Sequence, residues 1–329
     1  MKPVARPAGP LPVRLLLGSL FLAVLAVLCV VGSWFAADPI EILDPRAASL
    51  LPPGSQRWVI ALTNGTTVVA EAVRREEDHW VVLRRGNDEE LTAGEVTSLQ
   101  LRNYWLGTDT LGRDVMARLL HGGRVSLAVG SASLIVALIL GIGVGMAAGW
   151  RRGWTDTVLM RLVDGLMAIP MLFLLLLLAA VFRPSLPALV AVLAFSSWMG
   201  VARLVRGQVL SLREREFILG ARAIGASPWR IAVRHLLPNT MTPLSQDAAL
   251  RLGDLILAEA SLSFLGLGVQ PPVPSWGNMV AESQTMLLDA WWLTFIPGAA
   301  VALTVIAAAL VADGIRELAR THETAVPWT

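Results

Sequence analysis

The chain has 329 residues, 55% of them hydrophobic and only 16% charged, with a mean hydropathy of +0.61. Soluble domains carry about 25% charged residues. This composition therefore excludes a disordered chain, a collagen-like repeat and an ordinary cytosolic enzyme, and it points to a polytopic membrane protein. The net charge of +2 has an unusual makeup: of 27 basic residues, only Lys2 is lysine and the rest are arginine. A phosphate-binding P-loop needs G-K-[ST] at its end. The chain has no such loop, so if it runs on ATP, another subunit hydrolyses it. The lone Cys29 excludes an internal disulfide and a cysteine zinc cage.

In chain order, a basic tail over residues 1–14 precedes a first apolar run, Leu15 to Ala37, long enough to cross a bilayer. Basic residues before it and Ala36-Ala37 after it also suit a secretory signal. A signal core holds only about 7–15 apolar residues, so the run reads as a membrane anchor. A long outer segment, 38–124, follows. Within it, residues from Arg57 to about Leu101 alternate as strands do: Trp58 to Leu62, the turn pair Asn64-Gly65, then Thr67 to Ala70, with Trp80 to Leu83 as a third strand. This predicts a small β-rich insertion outside the membrane, read as a spacer or lid without chemistry of its own. A core over 125–313 adds five spans: Val125 to Trp150, about Val158 to Phe182 with Pro170 inside it, Leu186 to about Val205, about Leu244 to Leu267, and Trp291 to Val311. Residues 314–329 form a polar tail. The predicted fold class is an all-α polytopic membrane protein with six transmembrane helices.

Arginine placement orients the spans. With both termini cytoplasmic, the inner segments hold Lys2, Arg6, Arg14, Arg151, Arg152, seven arginines from Arg203 to Arg234, and Arg316 and Arg320. The outer hairpin between spans three and four shows only Arg183, and the outer loop from Gly268 to Ala290 has no Lys or Arg.

Several patterns imitate other chemistry. Gly141, Gly143, Gly145 and Gly149 suggest a nucleotide fingerprint but lie inside an unbroken apolar run; Gly141-xxx-Gly145-xxx-Gly149 reads instead as a small-residue face for close helix packing. His79, His121, His235 and His322 form no H-E-x-x-H, and no G-x-S-x-G elbow occurs. No catalytic, cofactor-binding or metal-ligating residue is assigned. Ala221 to Arg230 mimics a DNA-binding helix-turn-helix: Gly225 stops one helix, Ser227 caps the next, and Pro228 sits at its first position. Tied between two spans, the pair is expected to dock on a protein, with no nucleic acid partner.

The segment from Arg203 to about Pro243 is the most informative. Seven arginines stand against Glu214 and Glu216, and the turn is built of Gly220, Ala221, Ala223, Gly225 and Ala226. Small side chains let a short helix enter a groove of a soluble subunit, with arginines meeting acids there. Leu219-Gly220-Ala221-x-x-x-Gly225, nine residues, then His235-Leu236-Leu237-Pro238 resembles the loop motif of ABC importer permeases, E-A-A-x-x-x-G-x(9)-I-x-L-P. Ala221, Gly225, Leu237 and Pro238 agree; Leu219, Gly220 and His235 replace the Glu, the first Ala and the Ile. Three further stretches are similar to dipeptide and oligopeptide permeases: Leu106-Gly107-Thr108-Asp109-Thr110-Leu111-Gly112-Arg113-Asp114 running on to Gly122-Gly123-Arg124-Val125-Ser126-Leu127; Ser261 to Pro272 with Pro274-x-Trp276-Gly277; and Ala290-Trp291-Trp292 with Asp313-Gly314-Ile315-Arg316.

This resemblance covers roughly Tyr104 to Glu317 and the first span, and leaves out the insertion. It implies the type I ABC importer permease fold, the C-type subunit of a permease pair, and the bacterial inner membrane. The implied partners are a homologous second permease, two ATP-binding subunits that carry the ATP and Mg2+, an extracytoplasmic substrate-binding protein, and lipid. By the same resemblance Leu219, Gly220, Ala221, Arg222, Gly225, Ala226, Ser227, Pro228, Trp229 and Arg230, with Pro238, belong to the coupling segment, which ATP-driven closure of the ATPases moves to switch the pore. Peptide cargo is a property of that family; no residue here selects among dipeptides, oligopeptides, nickel chelates, glutathione or sugars.

Pro170 removes one helix hydrogen bond and predicts a kink in span three, shaping either the pore or the packing. Asp247, Arg251 and Asp254 share one face of span five. A lone charge at mid-bilayer costs about 2.5–3.5 kcal/mol on insertion scales, so Arg251 is expected to bridge both acids. Glu259 lies deeper on another face, as a structural or a substrate-contacting acid. The competing reading is an ion-coupled secondary carrier with Asp254 or Glu259 as its proton site. Such carriers often contain internal repeats, and none is evident between the halves. A membrane-anchored sensor built around the insertion leaves the arginine-rich segment unexplained.

Overall fold

The computed structural model describes residues 11–76, 79–84, 86–181 and 185–324. Lys2 and Arg6 of the expected N-terminal tail, residues 325–329 of the C-terminal one, and Arg183 of the outer hairpin lie outside them. The chain divides into two units, one of Met1–Leu25, Leu127–Leu262 and Val301–Thr329, the other of Ala26–Ser126 and Ser263–Ala300.

Helix α1 is Val13–Phe35 and the short α2 is Pro45–Ala48. Six strands follow: β1 Ser55–Leu62, β2 Thr67–Ala70, β3 Ala72–Glu76, β4 His79–Arg84, β5 Asn87–Thr92 and β6 Val96–Tyr104. The remaining helices are α3 Val115–Arg151, α4 Gly153–Met167, α5 Met171–Val181, α6 Leu186–Leu212, α7 Glu216–Ala223, α8 Pro228–Ile231, α9 Leu237–Phe264, α10 Trp276–Glu282 and α11 Trp292–Thr324, with a π-helical turn, Ala232–Leu236, leading into α9. Among the described residues four helices are long and apolar enough to cross a membrane: α1, α3, α6 and α11. Helix α9 has 28 residues but carries Asp247, Arg251, Asp254 and Glu259.

The expected third span is not one kinked helix. It stops at Met167 and restarts at Met171, with Ala168 to Pro170 outside both pieces. Pro170 has no N–H to bond backwards, and its ring disfavours helical geometry at Ile169. The new helix begins where the Pro170 carbonyl accepts the Leu174 N–H at 3.1 Å. Span two also differs from its expected bounds. At 37 residues, α3 starts ten residues before Val125 and is about 55 Å long at 1.5 Å per residue.

In the first unit, α3 and α6 run parallel at backbone distance. A Cβ placed on Gly141 would come within 2.4 Å of the Val201 Cβ, one on Gly145 within 2.5 Å of the Ala202 carbonyl oxygen, and one on Gly149 within 2.8 Å of the Val209 Cβ. Gly143, on the opposite face, has nothing within 4 Å. Helix α4 runs antiparallel to α6, with Arg206 bidentate on Asp156 and Arg203 reaching Asp164 at 2.6 Å. Helices α1 and α11 cross antiparallel: Gly18 packs against the Ala307 carbonyl and Val311, and Gly314 against Leu15.

In the second unit the strands form two antiparallel sheets in the orders β2-β1-β6 and β3-β4-β5. Asn64-Gly65 makes the β1–β2 turn, with Gly65 at φ +80° and the Asn64 side chain accepting the Thr66 N–H at 2.9 Å. Ile60, Ala70 and Val82 form the shared core, packed by Trp58, Trp80 and Leu99. Elsewhere in this unit Gly123 leaves room for the indole of Trp276, whose Nε1 donates to the Leu119 carbonyl at 3.0 Å while its backbone N–H donates to Ser126 Oγ at 3.2 Å.

Two glycine substitutions on α3 test the helix packing. Gly145→Leu is expected to abolish the monodisperse size-exclusion peak of the detergent-purified chain, and Gly143→Leu to leave it intact. Similar profiles for the two variants would contradict the close approach of α3 to α6.

Candidate functional site

The α7–α8 segment of the first unit is seated by four buried side chains, Ile218, Ala221, Ile231 and Leu236, which join Val201, Val205 and Val209 of α6 in one apolar cluster. Helix α7 ends in a Schellman turn. The Ala226 N–H donates to the Ala221 carbonyl and the Gly225 N–H to the Arg222 carbonyl, each at 3.0 Å, with Gly225 at φ +82°. Left-handed geometry costs a residue with a Cβ about 1–2 kcal/mol, which accounts for glycine there. Ser227 then caps α8, its Oγ accepting the Arg230 N–H at 3.3 Å, and Pro228 occupies the first turn. Pro238 lacks the N–H that would bond the Arg234 carbonyl, inside the widened π turn. Asn239 Nδ2 donates to the His235 carbonyl at 2.6 Å.

The outward side of this segment carries large apolar side chains among arginines and small residues. Ile224 is 87% exposed and Trp229 78%, with Phe217 and Leu219 also exposed. Gly220, Arg222, Gly225, Ser227, Pro228, Arg230 and Pro238 are exposed, and Ala226 is half-buried. The sequence reading sets arginines around the short helix against acids of a partner, and the structure divides the seven between contacts within this chain and exposed positions. Helix α6 runs on to Leu212, so Arg203 and Arg206 sit on it and pair with α4. Arg213 donates to the Gly149 and Trp150 carbonyls at 3.1 and 3.3 Å, capping the C-terminus of α3. Burial first, then the charges of Arg152 and Arg222, lower its pKa from the ordinary value; a guanidinium stays charged regardless. Arg222 lies 4.5 Å over the Trp150 ring. Arg215, Arg230 and Arg234 are exposed and make no ion pair among the described residues.

On α9, Arg251 does not bridge two acids. It is bidentate on Asp247 and donates to the Ser197 carbonyl at 3.1 Å, while Asp254 is exposed. Side chains on a helix lean toward its N-terminus, which favours the acid four residues back over the one three residues ahead. Gly200 of α6 makes the seat, since a Cβ there would meet the Arg251 Nη2 at 2.3 Å. Glu259 is fully buried. Among the described residues no group of three or more His, Cys, Asp or Glu side chains could hold a metal ion.

One charged cluster escaped sequence reasoning. In the second unit Arg113 Nε meets Asp109 at 2.7 Å, and Arg113 Nη2 and Arg118 Nη1 both meet Glu282 Oε2 at 2.8 Å. Asp109 Oδ1 also accepts the Leu111 and Arg113 N–H groups, and Arg118 is 3% exposed. Asp109 and Arg113 lie in a motif quoted for its resemblance, but Glu282 is 164 residues from Arg118, and no local pattern joins them.

A family model described as "binding-protein-dependent transport system inner membrane component" matches residues 141–320. The glutathione transport system permease protein of Pectobacterium atrosepticum is 40% identical over 65% of this chain and 71% of its own length. The dipeptide transport system permease protein of Bacillus subtilis is 38% identical over 65% of this chain and 68% of its own. Among solved structures, a chain of the MetNI methionine ABC transporter in inward-facing conformations superposes with a TM-score of 0.52 at 20% identity, covering 62% of this chain and 97% of that one. This last likeness is one of fold.

Arg251→Ala would strand Asp247 beside the void at Gly200. It is expected to destabilise the purified chain by about 1–3 kcal/mol, whereas Glu259→Gln keeps shape and volume and costs less. Thermal unfolding in detergent compares the two, and equal shifts would remove the argument from the ion pair.

Proposed function

The chain belongs to the family of binding-protein-dependent transport system inner membrane components, and from that membership we propose its role in detail. It is the membrane permease subunit of an ATP-driven ABC importer for dipeptides or short oligopeptides. Its relatives are named for dipeptide and glutathione transport, and glutathione is itself a small peptide. ATP is hydrolysed by partner subunits, in keeping with a sequence that has no P-loop lysine. An extracytoplasmic binding protein delivers the cargo, and a homologous second permease supplies the other half of the pathway.

Six crossings are assigned: α1, α3, the broken pair α4–α5, α6, α9 and α11. The helix directions support this path. Helices α3 and α6 are parallel, α4 is antiparallel to α6, and α1 is antiparallel to α11, as alternate crossings require. Arginine bias supports a cytoplasmic side for both termini, which would put the strands of 55–104 on the outer side.

The observation that carries the reading is the α7–α8 segment: held from beneath by Ile218, Ala221, Ile231 and Leu236, and presenting Ile224 and Trp229 outward. That surface suits an apolar groove on an ATPase, rimmed by acids for Arg215, Arg230 and Arg234. A push on the segment passes directly to α6 through the shared valine cluster, and from α6 to α3 through the glycine contacts. Alternating access then needs no chemistry on this chain. An ion-coupled carrier is disfavoured: it requires an intramembrane acid at work, and it gives the outward Ile224 and Trp229 no purpose.

Gly225 provides the test. Gly225→Val is expected to distort the turn at a cost of about 1–2 kcal/mol, raising the ATP hydrolysed per substrate moved in a reconstituted complex with its ATPases and binding protein. Gly225→Asn, which tolerates left-handed geometry, should stay near wild type. Uphill uptake by this chain alone, driven by an ion gradient without nucleotide, would overturn the assignment.

A further inference from the structure

The end of the first unit where α1 begins and α11 approaches its close holds a cavity of about 550 Å³, lined by Val13, Arg14, Asp313, Arg316, Glu317 and Arg320. We propose that it binds the phosphate of an anionic phospholipid. Three arginines against two carboxylates leave one surplus positive charge, which matches the single negative charge of a phosphodiester. Arg14 is only loosely engaged, its Nη1 3.9 Å from Asp313. Arg316 is exposed and makes no ion pair among the described residues. Arg316 and Arg320 stand one turn apart on α11, so their guanidinium groups can converge on one anion from the same side.

The position of the cavity selects a lipid over a free anion. Along α1 from Val13 and Arg14, the same face continues through Leu17, Leu20 and Val24, all exposed. On α11, Ile306 is exposed two turns before Asp313. A headgroup held at the arginines therefore places its acyl chains against an apolar strip along the same two helices. The crossing itself is close, since at Gly18 and Gly314 the backbones of α1 and α11 come together, which brings Arg14 beside Asp313 and Arg316. Basic pockets between membrane helices are a recognised way of holding lipid headgroups.

Native mass spectrometry of the full chain in detergent tests this, with phosphatidylglycerol, phosphatidylcholine and inorganic phosphate added in separate arms. Wild-type protein is expected to retain phosphatidylglycerol well above phosphatidylcholine, and inorganic phosphate should fail to displace it. Arg14→Gln and Arg316→Gln should each reduce that retention about fivefold, from roughly 1 kcal/mol per arginine. Arg316→Lys should largely restore it, and Arg74→Gln on the exposed strand β3 should change nothing. If the arginine variants are recovered poorly, the rise in melting temperature on adding phosphatidylglycerol is measured instead, and it should shrink for Arg316→Gln but not for Arg74→Gln. Equal retention of the two lipids, displacement by inorganic phosphate, or full retention by Arg14→Gln and Arg316→Gln would each overturn the proposal.

Discussion

The near-contact of two helix backbones along Gly141, Gly145 and Gly149 is the constraint on which the first unit depends. Lipid tails are as apolar as leucine, so apolar burial alone gives membrane helices little reason to associate. Close packing must supply it, and three glycines one turn apart let α3 approach the valine ridge of α6. The same three valines, Val201, Val205 and Val209, carry the buried side of the α7–α8 segment. The ridge is therefore held from one side by glycine and loaded from the other by Ile218, Ala221, Ile231 and Leu236. A partner that presses on Trp229 presses on a ridge that has no slack against α3, and packed interiors pass on such displacement rather than absorb it.

Charge follows the same economy of space. Several arginines of this unit have prepared seats: Arg251 against Gly200 with Asp247 and Ser197, Arg206 on Asp156, Arg213 on the last carbonyls of α3, Arg222 over Trp150. Of the seven arginines from Arg203 to Arg234, Arg203, Arg206, Arg213 and Arg222 brace helices against one another. On the proposed role of this segment, docking strength would fall to Ile224 and Trp229, with Arg215, Arg230 and Arg234 at the margin. This distribution suits an interface that must hold and also move, since buried aromatic anchors carry most binding energy and rim charges mainly steer.

Much of this was legible in the sequence, and the failures have physical causes. Apolar runs located the four helices long and apolar enough to cross a membrane, and Gly225, Ser227 and Pro228 marked the helix–turn–helix because each meets a local backbone need. Local signals also found the Asn64-Gly65 turn and β4. Strands β3, β5 and β6 are not among the three the sequence singles out. Ala72–Glu76 and Asn87–Thr92 have little apolar alternation and are strands because β4, between them, supplies the apolar face and the hydrogen bonds, while β6 is fixed by pairing along β1. Pro170 predicts only a kink because its effect on its own hydrogen bond is local, whereas the full break also involves the residue before it. The Asp109–Arg113–Arg118–Glu282 cluster could not be read at all, since its members are set by tertiary structure and not by spacing.

The stretches that resemble known permeases most specifically turn out to encode fit and not chemistry. Gly123 is there for the indole of Trp276, Ser126 for its backbone N–H, and Ser275 and Asn278 for the capping of α10. Gly268 lies against Ser263, where a Cβ would come within 2.1 Å of the hydroxyl oxygen, and that hydroxyl accepts the Val269 N–H. Thr108 accepts the Leu51 N–H and donates to the Ala48 carbonyl. A protein that moves cargo without making or breaking covalent bonds has no catalytic group to mark it in sequence. What its sequence can record is which small residues stand where larger neighbours must pass close, and at this level the recognisable motifs of this chain and its mechanical role are the same information.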